Sequence, residues 1–330
     1  MEIWIWIAFL MFIFAMLALD LGVFNRKAHV VGMGEALAWT GVWVALALIF
    51  NAGVYFMYSH NWLDIAVGLD GTTVPGKQAA LDFFTGYLIE KSLSLDNIFV
   101  IAMIFSYFSV PLMYQHRVLF WGILGALVMR GAMIGAGVAM VRKMDWIFYV
   151  FGAFLVITAI KMLFVRQDNL APEKNPLVRF ARRTFPVTPD FDGQKFFSQT
   201  NGKKAITPLF LALLMVESSD VLFAVDSIPA IFAITTDPFL VFTSNIFAIL
   251  GLRSLYFALA ALIEKFRFLK ISLVFLLAFV GVKMILAHHY PISTKVSLMV
   301  IVGILSAGVA ASILGARRNV APEDPHLSGN

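Results

Sequence analysis

The chain is dominated by apolar runs of about twenty residues, the length a helix needs to cross the ~30 Å hydrocarbon core of a bilayer. Nine can be distinguished, at 3–20, 36–58, 79–108, 118–141, 146–165, 207–234, 241–263, 271–288 and 296–316. Charged residues make up only 14% of the sequence and mean hydropathy is +0.86, against about 25% charged in soluble domains. Lipid offers the backbone no hydrogen-bond partners, so continuous runs of this length cross it as helices. The expected fold is all-α: a polytopic membrane protein with about nine transmembrane helices. The sequence has no cysteine, which excludes disulfides, thiolate metal sites and thiol redox chemistry.

The basic residues orient the runs. Nothing positive precedes the first run, and Arg26 and Lys27 follow it, the pattern of a retained first helix with a translocated N-terminus. With that end periplasmic, sixteen Lys and Arg fall in inside segments and four outside, namely Lys77, Arg142, Lys143 and Lys295. The C-terminus is then cytoplasmic, with a loose polar tail at 319–330. Half of the inside charges lie in the segment 166–205, which has no long apolar face and is expected to be a cytoplasmic linker. Its Arg179, Arg182 and Arg183 could meet anionic headgroups, although the positive-inside rule alone accounts for them.

Three stretches recur in order. Glu90-x5-Asp96-Asn97-Ile98 matches Asp220-x5-Asp226-Ser227-Ile228; Ile123-Leu124-Gly125 with Arg130 matches Ile249-Leu250-Gly251 with Arg253; Ala159-Ile160-Lys161-Met162 matches Gly281-Val282-Lys283-Met284. A unit of three spans repeated directly enters the membrane from opposite sides, so an inverted 3+3 repeat is expected, with a binding site near the midplane. The chain divides accordingly into two N-terminal helices (1–78), a first repeat (79–165), the basic loop (166–205), a second, inverted repeat (206–288), and a last helix with its tail (289–330).

Spans three and six carry Glu90, Asp96, Glu217, Asp220 and Asp226. A carboxylate at mid-bilayer costs about 3 kcal/mol, so each needs a partner or a task. With Asn97 and Ser227 they form a set of hard oxygen ligands suited to Mg²⁺, Mn²⁺ or Ca²⁺. The six histidines lie in loops, run ends or the tail and are expected to be solvated or interfacial. Glu90 and Asn97 share a helix face, as do Asp220 and Ser227, while Asp96 and Asp226 point about 120° away. One straight helix therefore cannot close a site, but two crossing helices can. Pro229 is expected to break span six and free the carbonyl of Val225; span three has only Gly86, Ser92 and Ser94 to loosen it. Lys91, Arg130 and Arg253 lie at similar depth, and the bland alternative is that the acids merely pair with them and lock helices together. Glu217 is equally well an ion-pair partner. Lys161 and Lys283 are expected to snorkel, and Asn51 and Asn245 to make packing hydrogen bonds. No H-E-x-x-H, phosphate loop or G-x-S-x-G occurs, so no enzyme, organic cofactor or nucleic-acid partner is expected, and transport would be gradient-driven.

The acidic stretches 83–100 and 217–231 resemble those of the TerC family of integral membrane proteins, and the first run ending Ala18-Leu19-Asp20-Leu21 resembles its Alx-like branch; the likeness covers roughly residues 10–315. The resemblance implies Mn²⁺ efflux or homeostasis in a bacterial inner membrane, possibly with proton exchange. Glu90, Asp96, Asp220 and Asp226 would be ligands, assisted by Asn97, Ser227 and Glu217, with Arg130 and Arg253 balancing charge. The expected partners are lipid and a divalent metal ion. The alternatives are a metal-binding scaffold that delivers metal to exported proteins, and a tellurium-resistance protein without transport. Alx-like members also bear a redox-modulator name, which a chain without cysteine fits poorly.

Overall fold

A computed structural model describes residues 3–19, 32–66, 73–144, 146–164, 173, 175–200, 202–259, 269–287 and 289–318. A helix forms at every apolar run: α1 (Ile3–Leu19), α2 (Met33–Ser59), α3 (Gly76–Tyr107), α4 (Leu112–Lys143), α5 (Ile147–Phe164), α7 (Pro208–Phe232), α8 (Pro238–Leu250) with α9 (Leu252–Leu259), α10 (Leu269–Leu286) and α11 (Thr294–Arg318). Among them α2, α4, α5, α7, the α8–α9 pair and α11 are long and apolar enough to cross a membrane, and α1 is a shorter apolar helix. Asp20, Arg26, Lys27, His29, Asp145, Arg166, Lys174, Lys265, Arg267, His288, His326 and the tail 319–330 lie outside the described residues.

Helix starts follow local chemistry. Pro208 and Pro238 occupy first-turn positions, where the missing N–H is not needed. Asp237 caps α8, its Oδ1 accepting from the amides of Phe239 (2.9 Å) and Leu240 (3.2 Å). Burial pushes the Asp237 carboxyl above its usual range, opposed by the Tyr58 hydroxyl and these two amides. The run 241–263 is not one helix. α8 stops before Gly251, where the Lys91 ammonium lies against the turn and donates to the carbonyl of Ala248 at 3.2 Å. A cation on the last carbonyls favours termination there.

Two sequence expectations need correction. The chain is not wholly α: the segment 166–205 holds α6 (Pro176–Thr184), capped by Asn175, and β1 (Phe197–Thr200), which pairs antiparallel with β2 (Lys203–Ile206) around Gly202 at φ +74°. The fold is therefore helical with one small hairpin. Nor does Pro229 break its helix, because it sits in the final turn of α7, which stays continuous from Asp220 through Asp226. Only one ladder bond is lost so close to the end.

The central helices pack reciprocally. α3 lies parallel to α8, with Gly86 facing Ser244 and Lys91 reaching Ala248. α4 lies parallel to α7 in the same way, Gly122 facing Val216 and Gly137 facing Phe232. α3 and α7 run antiparallel: the first half of α3 shares a core with Ile228, Ile231 and Phe232, and its second half with Leu209 to Val216. α5 and α10 also run antiparallel, in contact through Gly152 and Gly281, where a Cβ on either would lie 2.8–2.9 Å from the other's carbonyl oxygen. One half of the bundle is filled by aromatic rings, among them Phe9, Phe50, Phe83, Phe239 and Phe247, with Phe50 and Phe247 centred 4.6 Å apart.

Candidate functional site

Arg130, fully buried on α4, is the hub where α3, α4, α7 and α8 meet. Its Nε and Nη2 donate side-on to Asp220 at 3.1 and 2.9 Å, and its Nη1 donates to Glu90 Oε1 and to Asn245 Oδ1, the latter at 2.9 Å. Asn245 closes the ring by donating to Glu90 Oε2 at 3.2 Å. Two of the expected ligands are thus held by a guanidinium rather than left facing an ion. Bidentate and charge-assisted bonds are the strong kind, and at this depth each group would be prohibitive alone.

Asp96 and Asp226 form a separate pair. Each lies about 1.7 turns further along its own helix, in opposite directions because α3 and α7 are antiparallel, and the two remain within electrostatic reach of each other. Thr158 of α5 donates to Asp226 Oδ1 at 3.0 Å, and Lys161 also acts on Asp226 through its charge. Both acids line a cavity of about 760 Å³. Its walls are the second halves of α3 and α5, the middle of α7 from Met215 to Ser227, the start of α10 and Asn175, so it occupies the half of the bundle next to the 173–206 segment. Glu90 forms its floor, and Asn97 and Ser227 face it. Asn97 Oδ1 and Ser227 Oγ are buried with no hydrogen-bond partner among the described residues, although such groups are normally satisfied. Beside the floor a small void of about 20 Å³, bounded by Asn97, Ser219, Asp220 and Arg253, has room for about one water.

The seven expected ligands therefore do not close around one point. Among the described residues no three histidine or carboxylate groups are placed to share a metal. Two crossing helices were expected to overcome the 120° offset of Asp96 and Asp226 from the Glu90 and Asp220 faces; here the acids fall into two groups. Glu217 lies within electrostatic reach of Asp220 but outside the Arg130 ring, its carboxylate packed where a side chain on Gly125 would go. Lys91 serves the end of α8 rather than an acid, and Asn245 bonds between helices as expected. Lys283 does not snorkel: it is only 5% exposed and lies near Asp82. Lys161 is exposed at the cavity mouth.

Sequence reasoning missed a polar layer in the opposite, closed half. The Tyr58 hydroxyl donates to Asp237 Oδ2 at 2.8 Å, and Gln78 donates to Asp82 (2.7 Å) and Thr294 (3.0 Å), joining α2 to α8 and α3 to α11. The pair Asp237-Pro238 was a legible capping signal; Thr158 and Tyr58 lie in plain apolar runs and gave none.

A bundle of long apolar helices around a buried guanidinium–carboxylate centre defines a polytopic integral membrane protein. The chain belongs to the TerC family: the family described as "Integral membrane protein TerC family" matches residues 75–320. It is 55% identical over 313 residues to the uncharacterized membrane protein STKORF319 of Myxococcus xanthus, covering 95% of this chain and 93% of that one. It is 49% identical over 302 residues to a protein of Escherichia coli (strain K12) named, provisionally, the membrane-bound redox modulator Alx, covering 91% of each. An uncharacterized membrane protein of Rickettsia bellii is 40% identical over 315 residues, 96% of this chain and 98% of that one. No solved structure matches.

Proposed function

We propose that the chain is a gradient-driven carrier of divalent cations in a bacterial inner membrane, with Mn²⁺ as its cargo. The observation that carries this reading is the cavity that penetrates half of the bundle and is lined by Asp96 and Asp226, beside Asn97 Oδ1 and Ser227 Oγ, which have no hydrogen-bond partner among the described residues. Two carboxylates, an amide oxygen and hydroxyls are hard ligands. Asp96 and Asp226 supply the two carboxylates of this set, with the Lys161 charge also acting on Asp226, while Glu90 and Asp220 are balanced in part by Arg130. Mn²⁺ rather than Ca²⁺ is taken from the family resemblance. The redox name of some relatives has no thiol here to act through.

The reciprocal packing supports nine spans arranged around an inverted repeat, α3–α5 against α7–α10. In such a carrier the two repeats rock about a site at their interface, and the closed half, with its Tyr58–Asp237 and Gln78–Asp82–Thr294 ties, must part when the cavity half closes. Proteoliposome flux tests the reading. Native protein should move Mn²⁺ down an imposed gradient, and Asp96→Asn or Asp226→Asn should abolish movement. Stoichiometric Mn²⁺ binding without flux would sink transport in favour of a metal-binding scaffold. Tagging of His60 and Asp237 on the same side as the 173–206 segment would refute the inverted topology.

A further inference from the structure

Helix α6 has three sides. Val178 and Ala181 are buried in a core shared with Leu209, Ala212 and Met215 of α7. Leu177 and Phe180 are 47% and 68% exposed. At 100° per residue Arg179, Arg182 and Arg183 take the remaining side, all exposed. No acidic residue occurs between Asn175 and Pro189, and among the described residues none of the three arginines is in an ion pair.

The bonds at its two ends set its position. At one end Asn175 Nδ2 donates to Ser218 Oγ at 2.7 Å; at the other the amide of Ile206 donates to the Pro186 carbonyl at 2.9 Å. Helix α6, roughly 14 Å long, thus runs back along the first turns of α7, from beside the cavity toward the start of that helix. An exposed apolar side next to a basic one is the pattern of a helix lying at a membrane interface, with long arginine side chains that can reach the headgroup layer.

We infer that α6 is a binding surface for an anionic phospholipid, whose acyl chains lie on Leu177 and Phe180 and whose phosphate is held by Arg179, Arg182 and Arg183. Arginine suits this task because its planar fork can meet a phosphate with two parallel bonds. Occupancy of the surface also bears on the cavity. Asn175 caps α6 through Oδ1, accepting from the amides of Leu177 (2.9 Å) and Val178 (3.2 Å), and through Nδ2 it holds Ser218; both residues line the cavity. A lipid that steadies α6 steadies that wall.

The test is lipid retention by purified, delipidated protein, read by native mass spectrometry with phosphatidylglycerol, phosphatidylcholine and inorganic phosphate as separate additions. The native chain should keep phosphatidylglycerol in preference to phosphatidylcholine. Each Arg→Gln change at 179, 182 or 183 should weaken retention roughly fivefold, whereas Arg→Lys, which keeps the charge, should lose less. Equal retention of both lipids, unchanged retention by the triple Arg→Gln variant, or displacement of the lipid by inorganic phosphate would overturn the surface. A second readout concerns the clamp and needs no transport. Phosphatidylglycerol should change the rate at which a thiol reagent labels Val100→Cys in the cavity, and Asn175→Ala should remove that change. A labelling rate indifferent to lipid with Asn175 in place would overturn the coupling.

Discussion

At the scale of single residues, the acids of α3 and α7 divide by partner. Glu90 and Asp220 belong to a closed network with Arg130 and Asn245. Removing one member strands a buried charge, which costs about 3–5 kcal/mol. Arg130→Ala should therefore lower thermal stability sharply in detergent, to the point of poor recovery. Asp96 and Asp226 are like charges near one another on a cavity wall, so Asp96→Asn should cost less stability than Arg130→Ala while removing the stabilisation that added Mn²⁺ gives the native chain. A fall in stability for Asp96→Asn as large as that for Arg130→Ala would show that both pairs are structural.

The element scale is governed by how closely helices approach. α5 and α10 meet glycine to glycine, each backbone carbonyl standing where the other's side chain would be. Lipid gives helices no hydrophobic drive toward one another, so small residues and close packing hold them. Gly152→Val or Gly281→Val should push the pair apart at about 1–3 kcal/mol, seen as a lower melting temperature and a shorter lifetime in detergent. Gly135, which has open space around its Cα, is the control, since Gly135→Ala should be neutral or slightly stabilising. On α4, Gly125→Ala would collide with the Glu217 carboxylate and so tests whether the place of that acid matters without changing its charge.

For the whole molecule, the contrast between an open half and a filled half carries the prediction. Because the chain contains no cysteine, a single introduced thiol reports alone. Val100→Cys, lining the cavity, should react with a membrane-impermeant reagent from the side of the 173–206 segment; Thr85→Cys, buried in the closed half, should react from neither side. Adding Tyr58→Phe removes the hydrogen bond to Asp237 that ties α2 to α8, a loss of about 1 kcal/mol or more, and should raise the reactivity of Thr85→Cys from the opposite side. Continued protection in a folded double variant would remove Tyr58 from any gating role.

The sequence by itself determined the class, the helix positions within a few residues and the identity of the acidic stretches. These depend on local quantities: run length against bilayer thickness, and the expense of a carboxylate among apolar neighbours. It also set Asp96 and Asp226 on other faces than Glu90 and Asp220, at 100° per residue, but pointed to crossing helices that gather all four. Only the tertiary structure decided which base each acid meets. Lys91 follows Glu90 in the chain yet reaches the end of α8, while Arg130, forty residues away, takes that acid. Partner choice depends on the side from which α4 and α8 approach, and no spacing in the chain encodes that. The same holds for the cavity: Asp96, Thr158, Asn175 and Asp226 come from separate segments and meet only because α3, α5 and α7 leave one half of their interface unfilled.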